Sequence, residues 1–177
     1  MRAREGQRVR TGQGRVEVRR VRPEDWPALR ELRLEALQDT PRAYGETLAT
    51  GRAHPDGEWQ ARARRGAEGG DSCQLLAVRD GALVGTAAAF LPEPGTALLV
   101  GVYLTPGARG AGLLDRMVDA LAGWAREQGA AVVRLQVHEQ SAPARAAYAR
   151  LGFADTGERA PYDLDPTEHE LVLERAL

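Results

Sequence analysis

The chain contains no lysine, no asparagine and no isoleucine, and all 24 of its basic residues are arginine. Without lysine there can be no nucleoside-triphosphate loop of the Gly-x-x-x-x-Gly-Lys-Ser/Thr kind, because that lysine is what reaches the phosphates. Codons for the three missing residues are rich in A and T. A GC-rich coding sequence therefore accounts for their absence, and positions that often carry Asn or Ile are read with that in view. Cys73 is the single cysteine, which excludes an internal disulfide and fits a reducing, cytoplasmic setting. No apolar run reaches the roughly 20 residues of a membrane span, and the N-terminus lacks the apolar core of a secretory signal. No membrane partner is expected. His54, His138 and His169 are the only histidines and show no ligand spacing, so no metal is expected either. A net charge of −1 over 177 residues removes any global electrostatic argument for nucleic acid.

What remains is an ordinary globular composition, 43% hydrophobic and 28% charged, long enough for one domain with a real core. Residues 1–15 read as a basic extension and 16–177 as the domain. Up to Arg22 there are eight arginines against Glu5 and Glu17, a local balance of +6. No aromatic is interleaved with them, which argues against single-strand nucleic-acid binding and for a solvated arm.

Along the domain, Val16–Arg22 alternates as a first strand, and Pro23-Glu-Asp-Trp-Pro opens a helix that ends near Asp39-Thr-Pro41. Trp26, Leu29, Leu32 or Arg33, and Ala36 to Leu37 form its expected buried face. Residues 42–71 carry little pattern beyond a short helix over 58–65 and a glycine loop over 66–70. Asp80-Gly81 between Gln74–Val78 and Leu83–Phe90 signals a hairpin with a type I′ turn. Ala97 to Leu104 is an uncharged run of strand length. A Gly-rich turn then leads into a helix whose Leu114, Met117, Val118, Leu121 and Ala125 recur at helical period. Val132–Val137 reads as a strand, and Ser141 as the N-cap of a helix through Leu151. Gly152 stops that helix, and strands at 153–158 and 171–177 close the chain. The order β-α-α-β-β-β-α-β-α-β-β defines an α/β fold with a mixed, mostly antiparallel sheet and flanking helices.

The turn between Leu104 and the long helix is the richest stretch. It leaves backbone N–H groups bare at a helix N-terminus, a ready site for phosphate. A dinucleotide fingerprint would need a third small residue and an acidic partner beyond the next strand, and Gly110-Ala-Gly112 alone supplies neither.

Two motifs instead resemble those of the Gcn5-related N-acetyltransferase (GNAT) family. Pro106-x-x-Arg109-Gly-Ala-Gly112 after a buried strand is similar to that family's acetyl-coenzyme A loop, Arg/Gln-x-x-Gly-x-Gly/Ala. Leu114 departs from it by standing where the last Gly or Ala belongs. Ser141-Ala-Pro-Ala-Arg-Ala-Ala-Tyr148-Ala-Arg-Leu-Gly152-Phe153 resembles Asn-x-x-Ala-x-x-x-Tyr-x-x-x-Gly-Phe, with serine in place of the asparagine. Arg22-Pro-Glu-Asp25 and Glu170-Leu-Val-Leu-Glu174 resemble the family's ends, so the likeness spans roughly 16–177.

The resemblance implies an acetyl-CoA-dependent N-acetyltransferase acting on a primary amine of a small molecule, peptide or protein, as a monomer or homodimer. Backbone groups of Val102 and Leu104 would pair with the pantetheine. The N–H groups of Arg109, Gly110, Ala111, Gly112, Leu113 and Leu114 would cradle the pyrophosphate, and Ser141 would touch the cofactor. Tyr148 would donate a proton to the leaving thiolate. The acceptor pocket implied by the family lies over Leu34–Arg52, with Glu35, Tyr44, Glu46 and Thr47 as candidates, their carboxylates suited to a cationic amine. No carboxylate stands where the family's general base often lies: Leu98 and Gln136 occupy those places. His138 and Glu139 are the nearest titratable residues, His138 by its side chain the more useful, though a strand-end histidine is ordinarily a surface residue. A non-catalytic acyl-CoA sensor and a transferase of longer acyl groups are the alternatives.

Overall fold

The computed structural model describes residues 15–177, so all of the basic extension except Arg15 lies outside the described residues. Seven strands form one sheet in the order β1-β2-β3-β4-β5-β7-β6. They are β1 (Val16–Arg20), β2 (Ser72–Arg79), β3 (Ala82–Glu93), β4 (Thr96–Leu104), β5 (Val132–His138), β6 (Ala154–Tyr162) and β7 (Asp165–Ala176). The helices are α1 (Trp26–Asp39), α2 (Leu48–Ala53), α3 (Asp56–Glu68), α4 (Leu113–Glu127) and α5 (Ala142–Arg150). This is the mixed, mostly antiparallel sheet expected from the element order. The one parallel pair among the described residues is β4 with β5, joined through α4. No helix among the described residues is long and apolar enough to cross a membrane.

Where the sequence pattern is sharp, the elements follow it. Leu29, Leu32, Ala36 and Leu37 are buried on α1, and Asp80 and Gly81 adopt the positive φ of the hairpin turn, 52° and 82°. Three segments differ from expectation. A third helix, α2, precedes β2, its first turn capped by Thr47, whose side chain accepts from the Thr50 N–H at 3.1 Å. Next, α3 runs on through Gly66 instead of stopping there. That glycine marks a close approach rather than a loop, since a Cβ at 66 would stand 2.6 Å from the Cβ of Gln74 on β2. Finally, β6 and β7 are far longer than expected. Nearly every residue of β6 is exposed, so it carries no apolar alternation for sequence reading to find.

The central strand carries the feature that shapes the site. Ala88 faces Val100 and Thr86 faces Tyr103, so Ala87 alone opposes both Gly101 and Val102. This is a β-bulge, with Gly101 at φ 59°, a conformation that favours glycine. One extra residue reverses the side-chain alternation. Ala97 and Leu99 face the main core under α4, and beyond the bulge Val102 and Leu104 keep to that side. Tyr103 is thereby turned into the α1 cluster with Leu32, Ala36, Leu37 and Tyr44. On the other edge, β4 pairs with β5 only at Thr96–Val132, Ala97–Val133 and Leu98–Arg134. Past that point the two strands diverge and leave a cleft.

Candidate acyl-CoA and acceptor groove

A groove of about 1130 Å³ fills the cleft, at the upper end of the size of small-molecule sites. One half is walled by Val102, Leu104, Arg109, Gly110, Gly112, Leu113, Leu114, Ser141 and Tyr148. The other half is walled by residues 40–44 after α1, by His138 at the end of β5 and by Gln140 just beyond it. The fold thus gathers Tyr148, the strand residues, most of the glycine turn, Ser141, Tyr44 and His138 around one space. Ala111 lies on the turn but outside the groove wall.

The glycine turn meets the requirements of an anion cradle. Gly110 and Gly112 have φ of 77° and 69°, which side chains other than glycine rarely adopt. Gly112 is the N-cap of α4 and brings no side chain to cap it, and the first intrahelical bond is from the Arg116 N–H to the Gly112 carbonyl. The N–H groups of Leu113, Leu114 and Asp115 therefore have no helical partner and point out of the positive end of a 15-residue helix. A pyrophosphate fits such a terminus. Leu114 has helical backbone, packs partly on the core and also lines the groove. Arg109 is tethered: its Nε donates to the Leu104 carbonyl at 3.0 Å, its guanidinium pairs with Asp39, and it lies 5.8 Å from the Tyr103 ring.

Tyr148 projects from α5 with its ring edge-on to Phe153, 5.7 Å between centroids. Burial pushes its phenol up, with the neighbouring Tyr44 phenol adding to the shift, so it stays protonated throughout the neutral range. Tyr44 is itself buried and donates to the Val102 carbonyl at 2.9 Å. Ser141 precedes α5 and its N–H donates to the His138 carbonyl at 2.9 Å, while its side chain forms no cap bond.

His138 is buried, 2% exposed, contrary to the surface location expected of it. It is enclosed by β7 and by the edge of Tyr162, 4.8 Å away. Its Nδ1 accepts from the Gln140 N–H at 3.2 Å and its Nε2 lies 3.0 Å from Glu168. Both ring nitrogens are therefore engaged within the protein. Glu139 does not line the groove.

The remaining acceptor candidates lie elsewhere. Glu35 accepts from the Tyr103 hydroxyl at 3.1 Å and borders a separate cavity on the outside of α1. Glu46 is pinned by Arg33 at 2.9 Å, His54 at 2.5 Å and Arg62 at 3.6 Å. Burial raises its pKa, but the His54 and Arg33 hydrogen bonds outweigh burial and hold it below the usual carboxylate range. Thr47 serves as the α2 cap. In place of these carboxylates the groove presents Arg42 and Gln140, for which the sequence offered no motif. No group of three or more His, Cys, Asp or Glu among the described residues is placed to hold a metal.

The architecture is that of solved acetyltransferases. A GNAT-family acetyltransferase from Streptococcus pneumoniae superposes with a TM-score of 0.78 at 15% identity, over 92% of this chain and 99% of its own. An acetyltransferase from Salmonella typhimurium, solved with its cofactor acetyl-CoA, gives 0.74 at 20% identity over 93% and 95%. The ribosomal-protein-alanine N-acetyltransferase from Brucella melitensis gives 0.72 at 25% identity over 91% and 99%. No curated protein matches the sequence significantly. The sequence model of the acetyltransferase (GNAT) family matches residues 26–153, and the chain belongs to that family.

Proposed function

We propose that this protein transfers the acetyl group of acetyl-CoA to a primary amine by direct attack of the amine on the thioester. The observation that carries this reading is the single groove holding both an uncapped helix N-terminus and the partly buried phenol of Tyr148 beside a splayed strand. In it, the N–H groups at the start of α4 bind the pyrophosphate, and the backbone of Val102 and Leu104 takes the pantetheine as an added strand. A strand amide near Val102 polarises the thioester carbonyl. The uncharged amine nitrogen forms the new C–N bond as the C–S bond breaks. Tyr148 gives its proton to the departing thiolate, and the proton shed by the attacking nitrogen reprotonates the phenolate through solvent.

With both ring nitrogens of His138 engaged, no side-chain base is assigned, and the acceptor enters as free amine or loses its proton to water. The test is thiol release from acetyl-CoA across a panel of amines, with mass spectrometry of the product. Acceptor-dependent release with a gain of one acetyl group on nitrogen is expected. Saturable coenzyme A binding with no turnover on any amine would make the protein a sensor instead.

A further inference from the structure

The acceptor half of the groove is built around a cation held in place from behind. Four residues with formal charge line the groove: Arg42, Arg109, Asp115 and Arg150. Asp115 and Arg150 face each other at 4.0 Å between the start of α4 and the end of α5, in the cofactor half, and Arg109 is paired with Asp39. Of these four, Arg42 alone stands in the half walled by residues 40–44, His138 and Gln140. Its side chain is 62% exposed.

Glu168 is the carboxylate that pairs with this cation, at 3.8 Å. Glu35 and Glu46 are held as described above. Asp165, at the start of β7, accepts from the N–H and hydroxyl of Thr167 at 3.0 and 2.7 Å. Glu168 takes His138 Nε2 on one oxygen, and on the other Gln140 Nε2 at 3.2 Å. The Gln140 carbonyl oxygen then accepts from Arg42 at 2.6 Å, and Glu168 makes a longer ion pair with the guanidinium at 3.8 Å, which leaves the exposed side of the fork open. Because the Gln140 N–H occupies Nδ1 of His138, the ring hydrogen belongs on Nε2 and points at Glu168. That fixes Glu168, which fixes which end of the Gln140 amide faces Arg42. Exposure rises along this chain from 1% at the His138 side chain to 19% at Glu168 and 62% at Arg42. A guanidinium positioned from a buried anchor, with a neutral amide as its hydrogen-bond partner, is suited to a planar carboxylate and loses less freedom on binding it.

We propose that Arg42 selects the acceptor, and that the acceptor is an amine carrying a carboxylate, such as a free amino acid, rather than a polyamine or a lysine-rich chain. His138, Glu168 and Gln140 are positioning residues for that cation. This inference rests on the acetyl-transfer reading and narrows it.

The test compares free amino acids with their carboxamides as acceptors, matched in side chain, with kcat/KM referred to the concentration of unprotonated amine because the acid's amine is the more basic of the two. The wild-type protein should favour the acids by at least about tenfold in kcat/KM, as one charge-assisted pair supplies, with the difference in KM. Arg42→Gln should bring the acid down to the level of its amide, and Arg42→Glu should invert the preference. Gln140→Leu, which releases Arg42 without removing it, should raise KM for the acid while its kcat holds. Equal turnover of acids and amides, preference for amides, or a loss in Arg42→Gln that falls alike on both would overturn the proposal and leave acetyl transfer standing. Absence of turnover on every amine in either form would overturn both.

Discussion

The hydroxyl of Tyr44 donates to the main-chain carbonyl of Val102 at 2.9 Å, tying the segment after α1 to the bulged stretch of β4. The bond joins the two halves of the groove at the residue assigned to pantetheine. Tyr162 supports it from behind, its hydroxyl donating to the Tyr44 carbonyl at 3.1 Å. Tyr44→Phe keeps the ring, which lies 4.3 Å from the Arg33 guanidinium, and removes only the bond. Urea unfolding should show a loss of about 1 kcal/mol, and KM for acetyl-CoA should rise because the strand edge is no longer held.

Tyr148→Phe should lower kcat by about 100-fold or more, the range in which a positioned general acid acts. The thermal midpoint should hardly move, since the phenyl ring still meets Phe153. Burial raises the phenol above its ordinary value, so the proton to be donated is present across the whole assay range. The wild-type kcat profile should therefore show no alkaline limb from this group below about pH 10. A variant that turns over at the wild-type rate would remove Tyr148 from the chemistry.

Gly112→Ala places a side chain at φ 69°, a conformation that costs about 1–2 kcal/mol for residues other than glycine. The turn responds by rotating the N–H groups at the start of α4. An increase in KM for acetyl-CoA with little change in kcat at saturation is expected, measured by steady-state kinetics at varied acetyl-CoA.

Two partly buried carboxylates, Asp25 and Glu46, make stability sensitive to acid. Asp25 accepts from both terminal nitrogens of Arg19, at 2.7 and 2.8 Å, and these bonds hold its pKa below the usual aspartate value. Glu46 lies below 4.5 through His54 and Arg33. A lowered folded-state pKa means the unfolded chain binds protons more readily, so the stabilisation is complete above the unfolded values and is lost as pH falls through the folded ones. Thermal midpoints should be flat from neutral pH down to about 5 and fall steadily below about 4.5. Arg33→Gln should make that fall shallower.

Legibility in the sequence followed the physical signal each segment carried. The glycine turn was readable because two positive φ angles and a helix start demand glycine in a fixed pattern, and Tyr148 because it sits at fixed spacing from Gly152 and Phe153. In sequence, Gly66, a glycine required by close packing of α3 on β2, looks the same as one that ends a helix. The extent of β6 carries no signal, because a strand exposed on both faces has no apolar period. Arg42, Gln140 and Glu168 are far apart in the chain and share no motif. They meet only because β5 pairs with β7 and the segment after α1 folds over both. The burial of His138 is likewise a product of pairing, since β7 covers the end of β5.

The β4 bulge carries a wider implication. A slot opened by main-chain register is specified by topology and one glycine, so most residues along its walls are free to change without closing it. Selectivity among acceptors then has to be written in the few side chains that hang over its far end. In this chain those include Arg42, Tyr44 and Gln140, and a new substrate preference is within reach of one or two substitutions there that leave the scaffold untouched.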